Sequence, residues 1–199
     1  MLGQKNEWQD KLFEIPVPGV RLKLTPGEYF LPNVPVIYAS DGEFIYFRHT
    51  ENYEIKKYHI GSNRIMSSWK REYPHVRVPA EIKDKLVSGS KLVVGSVNEK
   101  TREYTPPGRE YLEDIKRLSW VGSHLWVLTS TYDKDKGILI DVYNREGECV
   151  DGFYLQFTHG LYVYTLFPAD FQLCKIYLYI KEIDPEENYR VVQYQLLDD

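Results

Sequence analysis

The sequence predicts an all-β fold built from four-stranded antiparallel meanders. The observations that predict it are short runs alternating apolar with polar residues, turn residues between the runs, and the recurrence of the whole pattern. The clearest copy spans residues 115–157, an earlier one spans 36–71, and a looser third spans 162–198. Recurring four-stranded units of this length are typical of β-propeller blades. We therefore predict about three blades, a partial or half propeller, with a closed β-barrel or sandwich as the alternative.

The composition fits one domain. The 199 residues include 15% aromatics, among them 17 tyrosines, which favour strands. The net charge of −4 argues against a nucleic-acid surface. No apolar run is long enough for a membrane span. We expect residues 1–11 to be a disordered tail and residues 12–199 to form a single propeller-like domain.

The N-terminus lacks the apolar stretch of a signal peptide. As written, the chain is expected to be cytoplasmic, whereas a fragment of a longer protein would leave a periplasmic or extracellular location open. Cys149 and Cys174 each lie in a strand-like run. They are predicted to be buried free thiols, and a disulfide between them is left open.

The residues before the first blade contain several prolines, which remove ladder donors. The segments FEIPVP and VRLKLTP are therefore predicted as edge strands, and GEYFLPNVP as a loop. In the first blade, turns are expected at Asp41-Gly42, Glu51-Asn52 and Gly61-Ser62-Asn63.

Residues 72–114 interrupt the repeat and form a predicted insertion. A short helix is expected after Pro79, ending near Gly89. The run KLVVGS is a possible strand, and residues 101–110 are predicted to be loop. An insertion of this length more often carries function than a plain connector does.

The second blade has expected turns at Gly122, at 133–137 and at 146–147. The third blade has strands in KIYLYIKEI and YRVVQYQLL but no fourth strand before the chain ends. The N-terminal run VRLKLTP is a candidate for that strand, because propellers often close by joining strands from both chain ends.

Residues 70–86, KREYPHVRVPAEIKDKL, and 106–130, PPGREYLEDIKRLSWVGSHLWVLTS, followed by DVYNREGECV, carry a family resemblance. They resemble bacterial six-bladed β-propeller proteins of the NHL-like and TolB-like kind. The stretches Leu125-Trp126-Val127 and 141–147 fit that pattern, whereas Trp120-Val121-Gly122-Ser123 departs from its usual acidic turn. The resemblance covers residues 36–198 and implies the C-terminal half of such a protein, with a homodimer or protein partner completing the ring. It implies no catalytic residues.

No catalytic, cofactor-binding or metal-ligating residue is predicted. The hairpin 133–137 begins like a calcium loop, but Asn144 stands where that loop needs a glutamate. The histidines show no local metal-ligand spacing, and Gly122-Ser123-His124 is not a nucleophile elbow.

The aromatic residues of the blades are the candidates for ligand or partner contact, with packing between blades as the alternative. The candidates are Trp120, Trp126, Tyr46 and Tyr177. The predicted function is a non-enzymatic propeller-like binding module without a cofactor. A lactonase-like hydrolase with a divalent cation on the tunnel axis and a lipocalin-like carrier are the alternatives.

Overall fold

The computed structural model describes residues 36–79 and 110–156 fully. Of the remaining chain it describes seven strands, at 19–24, 27–32, 92–94, 102–104, 171–174, 177–183 and 189–195. The predicted tail and the predicted helix after Pro79 lie outside the described residues. Within those ranges, no helix is long and apolar enough to cross a membrane.

The described chain begins with a hairpin of β1 (Gly19–Leu24) and β2 (Gly27–Pro32), which pair in antiparallel register. The loop predicted over GEYFLPNVP is therefore wrong for residues 27–32. The prolines misled the prediction, because Pro32 comes at the end of the strand, where a missing donor is tolerated.

The first meander contains β3 (Ile37–Ser40), β4 (Phe44–Arg48), β5 (Glu54–His59) and β6 (Arg64–Lys70), hydrogen-bonded in that order. The turn predicted at Asp41-Gly42 is confirmed, with Gly42 at a φ of 92°. At the turn between β5 and β6, Asn63 has a φ of 54°, a region that asparagine tolerates. A bulge between Lys57 and Tyr58 interrupts the β5–β6 ladder.

The insertion contains β7 (Leu92–Val94) and β8 (Arg102–Tyr104), which pair with each other. The strand in KLVVGS is confirmed, whereas the loop predicted over 101–110 is wrong for residues 102–104. The two ends of the insertion are bonded to each other. Val78 N–H donates to the carbonyl of Glu110, and Leu112 N–H donates to the carbonyl of Val76. Between these bonds Arg77 and Tyr111 form an isolated antiparallel β-bridge. The insertion therefore leaves and re-enters the meanders at one place, which we call the neck (76–78 and 110–112).

The second meander contains β9 (Ile115–Val121), β10 (His124–Asp133), β11 (Gly137–Tyr143) and β12 (Cys149–Leu155), again bonded in chain order. The third contains β13 (Phe171–Cys174), β14 (Tyr177–Ile183) and β15 (Tyr189–Gln195). Among the described strands this third sheet has three members. The run predicted to complete it is instead β1, which is bonded to β2.

The second meander lies between the other two. Its first face forms a buried cluster with the first meander, containing Tyr46 and Ile55 of one sheet and Leu125 and Val127 of the other. Its second face carries a cluster of aliphatic residues and Trp126, and Tyr194 of β15 packs on that cluster. Apolar layers between stacked four-stranded sheets are the packing of adjacent propeller blades.

The first strands of the three meanders are neighbours, since β9 lies beside both β3 and β13. Inner strands of propeller blades meet around the axis in the same way. The described strands form separate sheets instead of one continuous sheet, unlike the barrel alternative. The predicted all-β meander architecture is therefore confirmed.

Cys149 is a free thiol exposed to solvent, so the prediction that it is buried is wrong. It begins β12, the outermost strand of its sheet, where both faces reach solvent over most of the strand. Alternation of apolar and polar residues does not tell an inner strand from an outer one. Cys174 lies in β13, and its thiol falls outside the described side chains.

Two glycines with positive φ should respond differently to alanine. A Cβ at Gly137 would lie 2.1 Å from the backbone oxygen of Leu155, whereas a Cβ at Gly42 would meet open space. We expect Gly42→Ala to cost about 1 kcal/mol of backbone strain. Gly137→Ala should cost at least about 3 kcal/mol, because backbone must also move. Urea denaturation of both variants tests this, and equal losses would contradict it.

Candidate functional site

The interface between the first and second meanders holds the buried ionisable groups of the described residues. Arg48, Asp114 and Asp141 are each at most 2% exposed. The carboxylate of Asp41 is 1% exposed. Burying charge is costly unless each group has close partners, so their contacts decide what this interface does.

Asp141 joins the two meanders through one carboxylate oxygen. Tyr53 Oη donates to Oδ2 over 2.7 Å, and an Arg71 guanidinium nitrogen lies 2.5 Å from the same atom. Gly152 lies opposite Asp141 in the β11–β12 ladder, and an added Cβ there would lie 3.6 Å from Oδ1. Tyr53 and Arg71 come from the first meander, so the carboxylate bridges two sheets.

The phenol of Tyr53 is held neutral at this bridge. Burial raises the pKa of Tyr53 far above its usual value, and Tyr143 and Asp141 raise it further. The hydrogen bond to Asp141 raises the pKa of Arg71, against the opposing effect of burial. A neutral donor and a permanent cation thus share one carboxylate, an arrangement that holds the two sheets together.

Asp41 forms a second bridge, at the turn between β3 and β4. Its Oδ1 accepts hydrogen bonds from the N–H groups of Glu43 and Phe44, at 3.0 and 2.8 Å. Its Oδ2 lies 3.2 Å from Nε of Arg145, which belongs to the turn after β11. Burial alone would raise the pKa of Asp41, but the two N–H donors and Arg145 outweigh it and lower that pKa below its ordinary value.

The structure brings two of the four candidate aromatics together. The rings of Tyr46 and Trp120 stack with centroids 5.0 Å apart and planes 13° apart. Tyr46 is fully buried. The Arg145 guanidinium lies 5.8 Å from the Trp120 ring, so this indole is engaged by both an aromatic ring and a cation.

The other two candidates lie elsewhere. Trp126 belongs to the cluster on the opposite face of the second meander, where it meets Phe153 edge-on at 5.1 Å. Tyr177 begins β14, where its backbone pairs with Cys174 and Gln195. The four residues therefore do not form one common surface patch, and their role as ligand contacts stays a prediction.

Further polar contacts across the interface escaped the sequence analysis. Arg48 donates to the carbonyl of Ile115 over 2.7 Å, and Lys57 donates to the carbonyl of Arg145 over the same distance. Within residues 72–114, beside this interface, His75 Nδ1 lies 2.8 Å from the buried carboxylate of Asp114. One signal was available: an acid at an apolar position of the run ILIDVY, on the same face as Tyr143.

The hairpin that begins like a calcium loop uses its acid locally. Oδ1 of Asp133 accepts the N–H groups of Asp135 and Lys136, at 2.9 and 3.0 Å. These two bonds lower the pKa of Asp133. Across the ranges that the structure describes, no group of three or more His, Cys, Asp or Glu side chains is placed to hold a metal ion.

Comparisons with known proteins add little. No protein-family model matches the chain, and no curated protein matches its sequence. Among solved structures, BamB from Moraxella catarrhalis is similar over 79% of this chain, at 9% identity and a TM-score of 0.28. The match spans 42% of the length of BamB. At that identity and TM-score, the likeness does not bear on the function of this chain.

Removing the charge of Asp141 should loosen the two meanders. Asp141→Asn leaves Tyr53 and Arg71 without a full carboxylate. We expect the free energy of unfolding to fall by about 2 kcal/mol. This is less than the usual cost of breaking a buried ion pair, because the Arg71 side chain reaches solvent. The matched control is Asp151→Asn, an exposed acid on β12, which should change stability by at most about 0.5 kcal/mol. Chemical denaturation measures both, and equal stabilities would contradict the bridge.

Asp41 should make folding stability sensitive to acid. Its pKa is lower in the folded protein than its ordinary value of 3.8. Its contribution is therefore complete above that value and is lost as pH falls through the folded pKa. Asp41→Asn should be less stable than the wild type at pH 7, with the difference shrinking below about pH 4. Denaturation midpoints of both proteins, measured from pH 7 down to about pH 2, test this. A stability difference that stayed constant down to the lowest pH would refute it.

Proposed function

We propose that the protein is a non-enzymatic, propeller-like interaction module, and that a second copy of the chain completes its ring of blades. The observation that carries this proposal is the contrast between the middle meander and its neighbours. The middle sheet has a packed neighbour on each face. The outward faces of the first and third meanders include exposed apolar side chains.

On the third meander, the exposed residue is Val191, 70% exposed. It lies on β15 one position from half-buried Val192, and Tyr194 packs on the second meander. Because side chains alternate along a strand, Val191 belongs to the face directed away from the second meander. Covering this β-branched apolar side chain with another surface would remove apolar area from water and contribute to stability.

On the first meander, Tyr38 is 68% and Ile65 51% exposed. Tyr38 pairs with Phe47, and Ile65 pairs with Tyr58. These pairs lie on the face opposite Tyr46, which packs against the second meander. On that face Phe47 and Tyr58 are each 1% exposed, so the exposed apolar surface is confined to Tyr38 and Ile65. Burying side chains of this size contributes about 1.5–3 kcal/mol each, so an added neighbour would be stabilised by them.

A two-fold dimer would cover the outward faces of the first and third meanders at once. The first meander of one copy would pack on the third meander of the other, and symmetry repeats the contact and closes the ring. Two chains with three meanders each give six blades, the number that the family resemblance implies. A stable dimer buries about 1,200–2,000 Å² in total, so the two blade-to-blade contacts together would have to bury that area.

The buried ionisable groups support the non-enzymatic part of the proposal. Asp141 and Asp41 hold backbone or side-chain groups of two sheets together. Asp133 is occupied by its own hairpin. Catalytic acids and bases need an accessible reacting atom beside them. No observation favours the hydrolase or the carrier alternative over an interaction module.

The association state tests the proposal. Light scattering coupled to size exclusion should give a mass near twice 23.5 kDa. Val191→Glu should yield a folded monomer, because a charge would be buried at the contact. Val150→Glu, on the exposed outer strand β12, is the control and should stay dimeric. A monomeric wild type at about 100 µM would overturn completion by a second copy.

A further inference from the structure

Strand β6 presents an open edge to solvent. It is the last strand of the first sheet, and its backbone pairs with β5 on one side. Six of its seven residues are exposed, and Trp69 is half-buried. Its sequence, RIMSSWK, has no proline, glycine or acidic residue to weaken strand pairing. Half of the N–H and C=O groups of such a strand point outward and are available to another strand.

The charged residues of β6 favour some partner strands over others. Arg64 begins the strand and Lys70 ends it, and the Lys70 side chain is 73% exposed. Between them Ile65 and Met66 are 51% and 56% exposed. The only carboxylate within salt-bridge distance of Lys70 in the described residues is Glu54, at 3.8 Å, which leaves the ammonium largely in solvent.

A second copy of β6 fits this edge poorly. Antiparallel pairing of two β6 strands about Ser67 would place Arg64 opposite Lys70 at both ends. Like charges directly opposite each other destabilise a strand pair. The same positions favour a strand that carries acids at its two ends, because each cation then meets a carboxylate.

The other fully described outer strand differs. β12 carries Asp151 and Gly152 at its centre and follows Glu148. Glycine weakens a strand interior, and acids repel an acidic partner. The combination of a strand without proline or glycine, exposed apolar residues and cationic ends thus belongs to β6, whose ladder with β5 contains a bulge at Met66.

We propose that β6 binds an extended segment of a partner protein as an added antiparallel strand, with acids about six residues apart flanking an apolar centre. The acids lie opposite Arg64 and Lys70, and the apolar centre covers Met66. The hydrogen-bonding edge of β6 is distinct from the blade face that a second copy would cover, so the proposal goes beyond the proposed function. Binding by strand addition takes affinity from backbone hydrogen bonds and specificity from such side-chain contacts.

The test uses two synthetic peptides with the same centre, EVTVTVE and KVTVTVK. Calorimetry should show the acidic peptide binding wild-type protein at least about tenfold more tightly. Hydrogen exchange by NMR should show new protection at amides of β6. The double variant Arg64→Glu with Lys70→Glu should reverse the preference between the peptides.

The matched control is Lys134→Glu with Lys136→Glu, which changes net charge equally in an exposed hairpin far along the chain. It should keep the wild-type preference. Equal affinity of the two peptides, an unchanged preference in the Arg64 and Lys70 variant, or protection confined to other strands would each overturn the proposal. Protection of β6 amides in concentrated protein without peptide would assign the edge to a second copy and also overturn it.

Discussion

A four-stranded sheet that carries apolar side chains on both faces needs a neighbour on each side, because either uncovered face would be in contact with water. The second meander is such a sheet, and its strands β9, β10 and β11 are buried on both faces over most of their length. The packing of the first and third meanders against it follows from this requirement. So does the neighbouring arrangement of the three first strands, in which β9 lies beside both β3 and β13.

Apolar packing alone does not set the position of one sheet on another, because it has no direction. Hydrogen bonds and ion pairs, which have preferred directions, fix the position of one sheet on the other here. The carboxylate of Asp141, the turn acid Asp41 and the guanidinium of Arg48 each reach across to the neighbouring meander. A buried ion pair adds little net stability compared with an apolar contact, but removing one partner is costly. These bridges therefore act mainly by lowering the free energy of one alignment of the two sheets relative to other alignments.

The sequence allowed most of the local structure to be predicted. Alternation and turn residues identified the eight strands of the first two meanders, because strand period and turn chemistry are properties of neighbouring residues. β2 and β8 were missed, since proline content and charge made both segments resemble loops. The exposure of Cys149 depends on the position of β12 at the edge of its sheet, which alternation does not encode.

The site was harder to predict than the fold. Tyr46 and Trp120 were singled out as aromatics, but their stacking joins two meanders. Tyr53 and Asp141 are 88 residues apart in the chain. Such pairs depend on how whole sheets dock, and one sequence contains no direct signal of that docking. Asp141, an acid within an apolar strand, is the local sequence signal of this site, but the signal does not identify the residues that contact it.

The neck of the insertion has a consequence for how this protein can change over evolution. Because Val76 and Val78 are bonded to Leu112 and Glu110, the chain leaves the meanders and returns within a few ångströms. The path of the sheets is thus independent of how many residues lie between the two sides of the neck. The entropic cost of closing a chain segment grows slowly with its length, by about 0.6 kcal/mol for each doubling. Natural variation in length, or an engineered reporter domain, is therefore compatible with the two sheets when it lies between the two sides of the neck.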